Sequence, residues 1–391
     1  MTAVKRRWTW ACSAIATVVV AAVACGAVTV TPAAASSSYG NTVLTSVACT
    51  SAGSCVAVGN YWDNAANQPQ AMVVSETNGA WGAARELTLP RGAATHDSLG
   101  AELKSVACTS AGDCVAVGAY EPKVGGEEEA MVATETRGTW APASELRLPA
   151  PALGSEQNAT LNSVTCASPG SCVAVGGYET HGGYQAMVVG ETAGVWGAAS
   201  PVMLPAASTG RADLNSVTCT SAGNCVAAGA FDDPNANYEA IVVAETNGVW
   251  GAASELQLPT GANTITNTQN AGLDSVACTG VGNCVAVGYY TDLYGGSQAS
   301  GPSAGPDNAM IASEAGGAWS RASPLSTQSP AILGSVACAS PGNCVAVGSV
   351  GLPWNLTGLL VTETGGVWGQ AGALGSSLSG LDSVVCTSPG N

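Results

Sequence analysis

Residues 46–59 read S-V-A-C-T-S-A-G-S-C-V-A-V-G, and the stretch returns almost unchanged at 105–118, 163–176, 216–229, 275–288 and 335–348. A seventh copy begins at Ser383. Two short apolar runs flank a turn of Thr, Ser, Ala and Gly, which is the pattern of a β-hairpin. The runs are apolar on both faces, as in strands packed between other layers. The cysteines stand at the mouth of the turn, where facing positions of an antiparallel pair come within disulfide reach. The pairs are Cys49/Cys55, Cys108/Cys114, Cys166/Cys172, Cys219/Cys225, Cys278/Cys284 and Cys338/Cys344. Each closes a short loop, worth roughly 2 kcal/mol. Structural zinc prefers tighter Cys spacing with histidine support. His96 and His181 are the only histidines and neither follows the repeat, so no metal site is expected from these residues.

Successive first cysteines lie 48–60 residues apart, a period that points to propeller blades. After each hairpin come a variable loop and a third apolar run, such as A-M-V-V at 71–74. Next is the pattern E-T-x-G-x-W, as in Glu76 to Trp81 and Glu245 to Trp250, with Ala315 replacing Thr in the fifth copy. Asn-Gly in this turn is a strong hairpin signal. A fourth run starts at the Trp and ends at L-x-L-P in the earlier repeats; Pro there suits an outer strand leaving its sheet. The expected fold is an all-β propeller of four-stranded antiparallel blades, with one hairpin disulfide per blade. Residues 36–382 form six complete repeats, and 383–391 start a seventh. Earlier copies place the second cysteine directly after the turn, so this copy is expected to continue beyond Asn391. Trp81, Trp140, Trp196, Trp250, Trp319 and Trp368 are expected to pack between blades. Glu76, Glu135, Glu191, Glu245, Glu314 and Glu363 are expected to accept hydrogen bonds from turn amides.

The Gly-x-Trp hairpin resembles the Asp-box of sialidase-like (BNR) propellers, without its Asp and with one residue fewer between Gly and Trp. The whole repeat, S-V-x-C-x-S-x-G-x-C-V-A-x-G, resembles that of secreted actinobacterial Cys-containing repeat proteins. This resemblance covers nearly everything after Tyr39. It implies a propeller and export, and no particular activity.

The chain opens with Lys5-Arg6-Arg7, an apolar segment over 11–30, and Pro32-Ala33-Ala34-Ala35. That order is a secretory signal peptide, expected over 1–35. Export agrees with the disulfides, since cytosolic thiols stay reduced. Its removal leaves eight basic residues against 27 acidic ones. Such a surface repels nucleic acid and anionic membranes. No later stretch is apolar enough for a membrane helix, so no membrane insertion is expected after cleavage.

In a meandering blade the 1–2 and 3–4 turns share one face of the disc, and the 2–3 and 4–1 loops share the other. Here the first set is constant and the second varies, so the variable set is the expected ligand face. An aromatic follows the repeat's last Gly closely in five 2–3 loops, often with an acid behind it. The candidate ligand-binding residues are Tyr61, Trp62, Asp63, Tyr120, Tyr178, Phe231, Asp232, Asp233, Tyr290 and Asp292. Aromatics beside acids and amides suit a sugar; the same aromatics also suit packing over the blade edge. Asp232-Asp233-Asn235 offers oxygen ligands for calcium, the one cofactor considered. There is no Ser/His/acid signature and no phosphate loop. Arg85, Arg137, Arg147 and Arg321 lie in or beside the 3–4 hairpin, away from the variable loops. The expected function is non-catalytic binding of carbohydrate or extracellular protein. The alternative is a sialidase-like carbohydrate-active enzyme, which needs two suitably placed carboxylates.

Overall fold

The computed structural model describes residues 39–96, 98–149, 158–263, 269–292, 307–327, 329–352, 355–374 and 380–386. The expected signal peptide, Trp354 and residues 387–391 lie outside these. The described chain is all-β. It forms six antiparallel sheets, each a meander of innermost, second, third and outer strands. The innermost strands are Tyr39–Ser51, Ala101–Ser110, Thr160–Ser168, Ala212–Ser221, Ala271–Gly280 and Ala331–Ser340. The second strands are Ser54–Asp63, Asp113–Tyr120, Ser171–Thr180, Asn224–Asp232, Asn283–Thr291 and Asn343–Val350. The third strands are Gln68–Thr77, Glu129–Thr136, Gly183–Thr192, Tyr238–Thr246, Asp307–Ala315 and Thr357–Thr364.

The outer strand is less regular than the sequence suggests. It is two short pieces, such as Ala80–Trp81 and Arg85–Glu86, both paired to the third strand. The register slips by one residue between Trp81↔Glu76 and Arg85↔Val73. That is a β-bulge, and it falls on the small residues Gly82-Ala83-Ala84. The innermost strand carries its own bulge in every blade. In blade four it lies between Leu214↔Gly229 and Ser216↔Ala228. It presses the backbone onto the repeat's last Gly: a Cβ on Gly229 would sit 2.0 Å from the Asp213 carbonyl oxygen. The same contact recurs at Gly59, Gly118, Gly176, Gly288 and Gly348, which is why V-A-x-G ends in Gly.

All six hairpin disulfides form, joining residues directly opposite one another. Standing at a turn does not leave them on the surface. Cys114, Cys172, Cys225 and Cys284 are 3% exposed and Cys344 is 2% exposed. Each of these second cysteines packs into the seam with the preceding blade, while its partner, Cys108, Cys166, Cys219, Cys278 or Cys338, stays half-buried. The bridges of blades two to six therefore belong to the core between blades. The turn they close is tied to the Gly-x-Trp turn, as where the Gly79 N–H donates to the Gly53 carbonyl at 3.0 Å. Five further blades repeat this bond, from Gly138, Gly194, Gly248, Gly317 and Gly366.

The apolar core lies between blades. The seam of blades one and two buries Val56, Val58 and Val73 from one side and Leu103, Tyr120 and Met131 from the other. Equivalent clusters fill the next four seams. A polar stitch also repeats: the serine of S-V-x-C accepts the valine N–H of the next blade. It runs from Val106 to Ser46, Val164 to Ser105, Val217 to Ser163, Val276 to Ser216 and Val336 to Ser275, at 3.1–3.3 Å. Residues 380–386 pack on blade six in the same way, with the Val384 N–H on Ser335 Oγ at 3.1 Å and Leu381 buried. Among the described residues the ring does not close back onto blade one. The face of blade one that would meet a predecessor is consequently looser. Leu44, Val47 and Cys55 are half-buried, whereas their counterparts in the other five blades are buried.

Candidate functional site

The constant face is built from one row across each blade. In blade two, Cys108, Cys114, Glu135 and Trp140 stand in register on consecutive strands. Directly opposed residues share a sheet face, so the disulfide, the carboxylate and the indole all face the preceding blade. Trp140, Trp196, Trp250, Trp319 and Trp368 pack into the seam clusters. The expected bond from the row's Glu to turn amides is not what forms, because the turn Gly N–H is taken by the disulfide turn. One oxygen each of Glu135, Glu191, Glu245, Glu314 and Glu363 is buried without a partner. Burial accordingly raises these carboxyls. A cleft of ≈ 520 Å³ runs along the row between blades one and two, lined by Glu76, Arg85, Glu135, Arg137 and Trp140.

On the other face, the loops of adjacent blades tie to each other. The Ala94 N–H donates to the Glu121 carbonyl, and the Asn263 N–H to the Thr291 carbonyl. The Glu121 carboxylate, 1% exposed, accepts the backbone N–H groups of Leu99 and Gly126.

The structure separates the candidate residues by strand parity. Tyr61, Tyr120, Tyr178, Phe231 and Tyr290 occupy one register position and are all buried, the last four against the preceding blade. Their hydroxyls are engaged internally: Tyr61 donates to Glu86 at 2.7 Å, Tyr120 to Glu129 at 2.9 Å and Tyr178 to Gln185 at 3.3 Å. These rings fill the blade edge. Trp62 is exposed, and Asp63, Asp232, Asp233 and Asp292 are half-buried. Asp232 lies 3.5 Å from Arg211. Both oxygens of Asp233 accept N–H groups from Asn235 and Asn237, so the acceptors considered for calcium already hold their own loop. Among the described residues no cluster of three or more His, Cys, Asp or Glu is arranged to hold a metal.

One residue earlier on the second strand, side chains face the following blade instead, and here the blades differ. Blade three places Thr160 opposite Gly177, blade four Asp213 opposite Ala230, and blade five Gly272 opposite Tyr289. The third strand adds Tyr184, Tyr238 and Asp307 on the same side. Glycine makes room for the rings: a Cβ on Gly177 would lie 2.2 Å from Tyr184 and 2.9 Å from Asp213 Oδ1. The Thr160 hydroxyl is buried there with no partner. Tyr238 is 46% exposed at the mouth.

The bulge adds a second set of groups. It sits at the x of L-x-S-V and holds Thr45, Lys104, Asn162, Asn215, Asp274 and Gly334. Thr45 donates to the Leu103 carbonyl at 2.6 Å, Asn162 to that of Leu214 at 3.0 Å and Asn215 to that of Leu273 at 2.9 Å. The position therefore points at the next blade's innermost strand. Asn162 also donates to both oxygens of Asp213 at 3.0 Å, and Lys104 donates to Asn162 at 3.3 Å.

Together these residues form a polar mouth along the inner seams of blades three to six. Burial pushes the Asp213 carboxyl up to about 6 against the pull of Lys104 and Asn162. Burial and then Asp307 push Asp274 up to about 7. Burial raises Asp307 to about 6, opposed by an amide bond from Asn270. The Tyr184 and Tyr289 phenols are raised by burial and by these acids. No arginine is among the groups acting on Asp213, Asp274 or Asp307. The aromatics singled out in the sequence lie at the other strand parity after the Gly; the variable x inside an otherwise constant L-x-S-V was the signal for this mouth.

The sequence matches no family model and no curated protein. Solved structures are similar in fold. A family PL25 polysaccharide lyase, an ulvan lyase bound to -[GlcA(1-4)Rha3S]-, has a TM-score of 0.51 and 10% identity, covering 83% of this chain and 81% of its own. A Hadza microbial sialidase has a TM-score of 0.47 and 14% identity, covering 82% of this chain and 69% of its own. A GH93 α-L-arabinofuranosidase of Fusarium graminearum has a TM-score of 0.45 and 12% identity, covering 78% and 89%. With its six meandering sheets, the chain is a β-propeller in fold, stapled by one hairpin disulfide per blade.

Proposed function

We propose that the protein is an exported β-propeller that binds carbohydrate at the polar mouth of blades three to six. One observation carries this reading. Tyr184 with Asp213, and Tyr289 with Asp274 and Asp307, stand in neighbouring seams beside the exposed Tyr238, at a level where blade six carries Ile332 and Ser349 and so neither a phenol nor an acid. Ring faces beside clustered acceptors suit a sugar, which offers C–H faces and hydroxyl donors. The ulvan lyase of similar fold also holds an oligosaccharide, one whose acidic groups would not suit the carboxyls here. Six disulfides suit an oxidising compartment, and among the described residues no helix is long and apolar enough to cross a membrane. Calorimetric titration of the disulfide-intact protein with a panel of neutral, acidic and amino oligosaccharides tests the reading. Binding that Tyr238→Ala weakens supports it; silence across the panel removes it.

Glycoside cleavage is the second reading. The raised carboxyls of Asp274 and Asp307 favour it, because an acid that keeps its proton near neutral pH can protonate a leaving group. Release of nitrophenol from aryl glycosides, abolished by Asp274→Asn, would replace binding by catalysis.

A further inference from the structure

We infer that the seam between blades five and six seats a protonated amine, and that the sugar taken at the mouth is an amino sugar with its amine free. This rests on the carbohydrate reading above and adds the substrate class.

The repeated seam bond supplies the reason. Thr45, Asn162 and Asn215 each donate from the bulge to the leucine carbonyl of the next blade. In blade five the same bulge, between Leu273 and Ser275, holds Asp274, and the leucine of the next blade is Leu333. An ionised carboxylate has no proton to donate, and among the described residues no hydrogen-bond donor acts on Asp274. The next bulge residue is Gly334, which brings no side chain to help. Asp307 stands near enough to repel Asp274, and no cation among the described residues opposes either. Lys104 acts on Asp213, in another seam. Protein surrounds Asp274 on nearly every side, though its edge stays open to solvent.

This seam thus collects acceptors and negative charge with a donor missing, at a position that blades one to four fill with N–H or O–H. An ammonium supplies up to three donors and the opposing charge. A neutral hydroxyl supplies one donor and no charge. A uronate adds a further negative charge to Asp274 and Asp307 and is rejected. The phenol of Tyr289, on which both acids act, flanks the seat for the rest of the sugar. Aromatic faces are also favourable neighbours for a cation.

The test is calorimetry near neutral pH with three disaccharides: the β-1,4 dimer of glucosamine, its di-N-acetyl form and cellobiose. The glucosamine dimer is expected to bind roughly 10-fold to 100-fold more tightly than the others. Asp274→Asn restores a donor toward Leu333, as Asn162 and Asn215 have, and is expected to erase the preference while the folded state persists. If that variant does not fold, Asp307→Asn is read instead and should reduce the preference. Equal binding of the three by the native protein overturns the amine seat and leaves the carbohydrate reading standing. A preference that survives Asp274→Asn also overturns it. Calcium that displaces the dimer and itself needs Asp274 would put a metal in the seat. No binding of any sugar removes both readings.

Discussion

The two faces of this propeller are made from the same strands and follow opposite rules. On the disulfide face every blade repeats the row of disulfide, Glu and Trp, and the same Gly-to-Gly bond ties the two turns. On the other face the first two strands pair Thr with Gly, then Asp with Ala, then Gly with Tyr, and Tyr184, Tyr238 or Asp307 stands further along the third strand on the same side. A residue needed by the architecture has to recur, because every seam imposes the same geometry. Departure within a repeat marks positions that the architecture leaves open, and those are where binding chemistry can be placed.

The sharpest way to break that contrast is to alter a repeated position that has no room. Gly229→Ala drives a methyl into the Asp213 carbonyl and is expected to cost about 3 kcal/mol or more, or to prevent folding, read by chemical denaturation. Replacing Cys219 and Cys225 together by Ala should cost roughly 2 kcal/mol, since the loop they close is short. Reduction under mild thiol should begin at Cys49–Cys55, the pair with no blade packed over it, while the bridges of Cys172, Cys284 and Cys344 react later because a neighbouring blade covers them. Timed alkylation and mass mapping will show the order. Ser275→Ala leaves the buried Val336 N–H without its acceptor, for a loss of about 1–2 kcal/mol in the same denaturation assay.

The variable face should show itself in pH dependence. Asp213, Asp274 and Asp307 have folded pKa values of about 6, about 7 and about 6, above the roughly 3.9 of an unfolded Asp. Between these limits the folded state holds more protons than the unfolded one, so stability falls as pH rises. Melting is expected a few degrees higher near pH 5 than near pH 8. Asp274→Asn should flatten part of that slope; a melting temperature independent of pH would mean that these carboxyls are not confined as described.

The hairpins, their disulfides, the four-strand meander and the seam role of the tryptophans were all legible in the repeat, because recurrence exposes what every blade requires. The mouth was not. Tyr178 and Phe231 stood out as aromatics after a Gly, yet strand alternation turns that position inward. Tyr184 and Tyr238 begin third strands after loops of different length, so only the strand register brings them to one side. Asp274 was hidden for another reason: a bulge breaks the period of two, and nothing local to D-S-V-A-C announces which way its side chain turns.

The serine-to-valine stitch has an evolutionary consequence. Each joint is formed by one repeat offering its Ser and the next offering its Val, and all repeats carry both. A duplicated, deleted or transposed blade therefore meets its new neighbours through the same joint and the same apolar seam. Repeat number and order can drift with little loss of cohesion, while each rearrangement sets different bulge residues side by side. The lineage can thus try new binding surfaces by shuffling whole blades rather than by mutating a finished site.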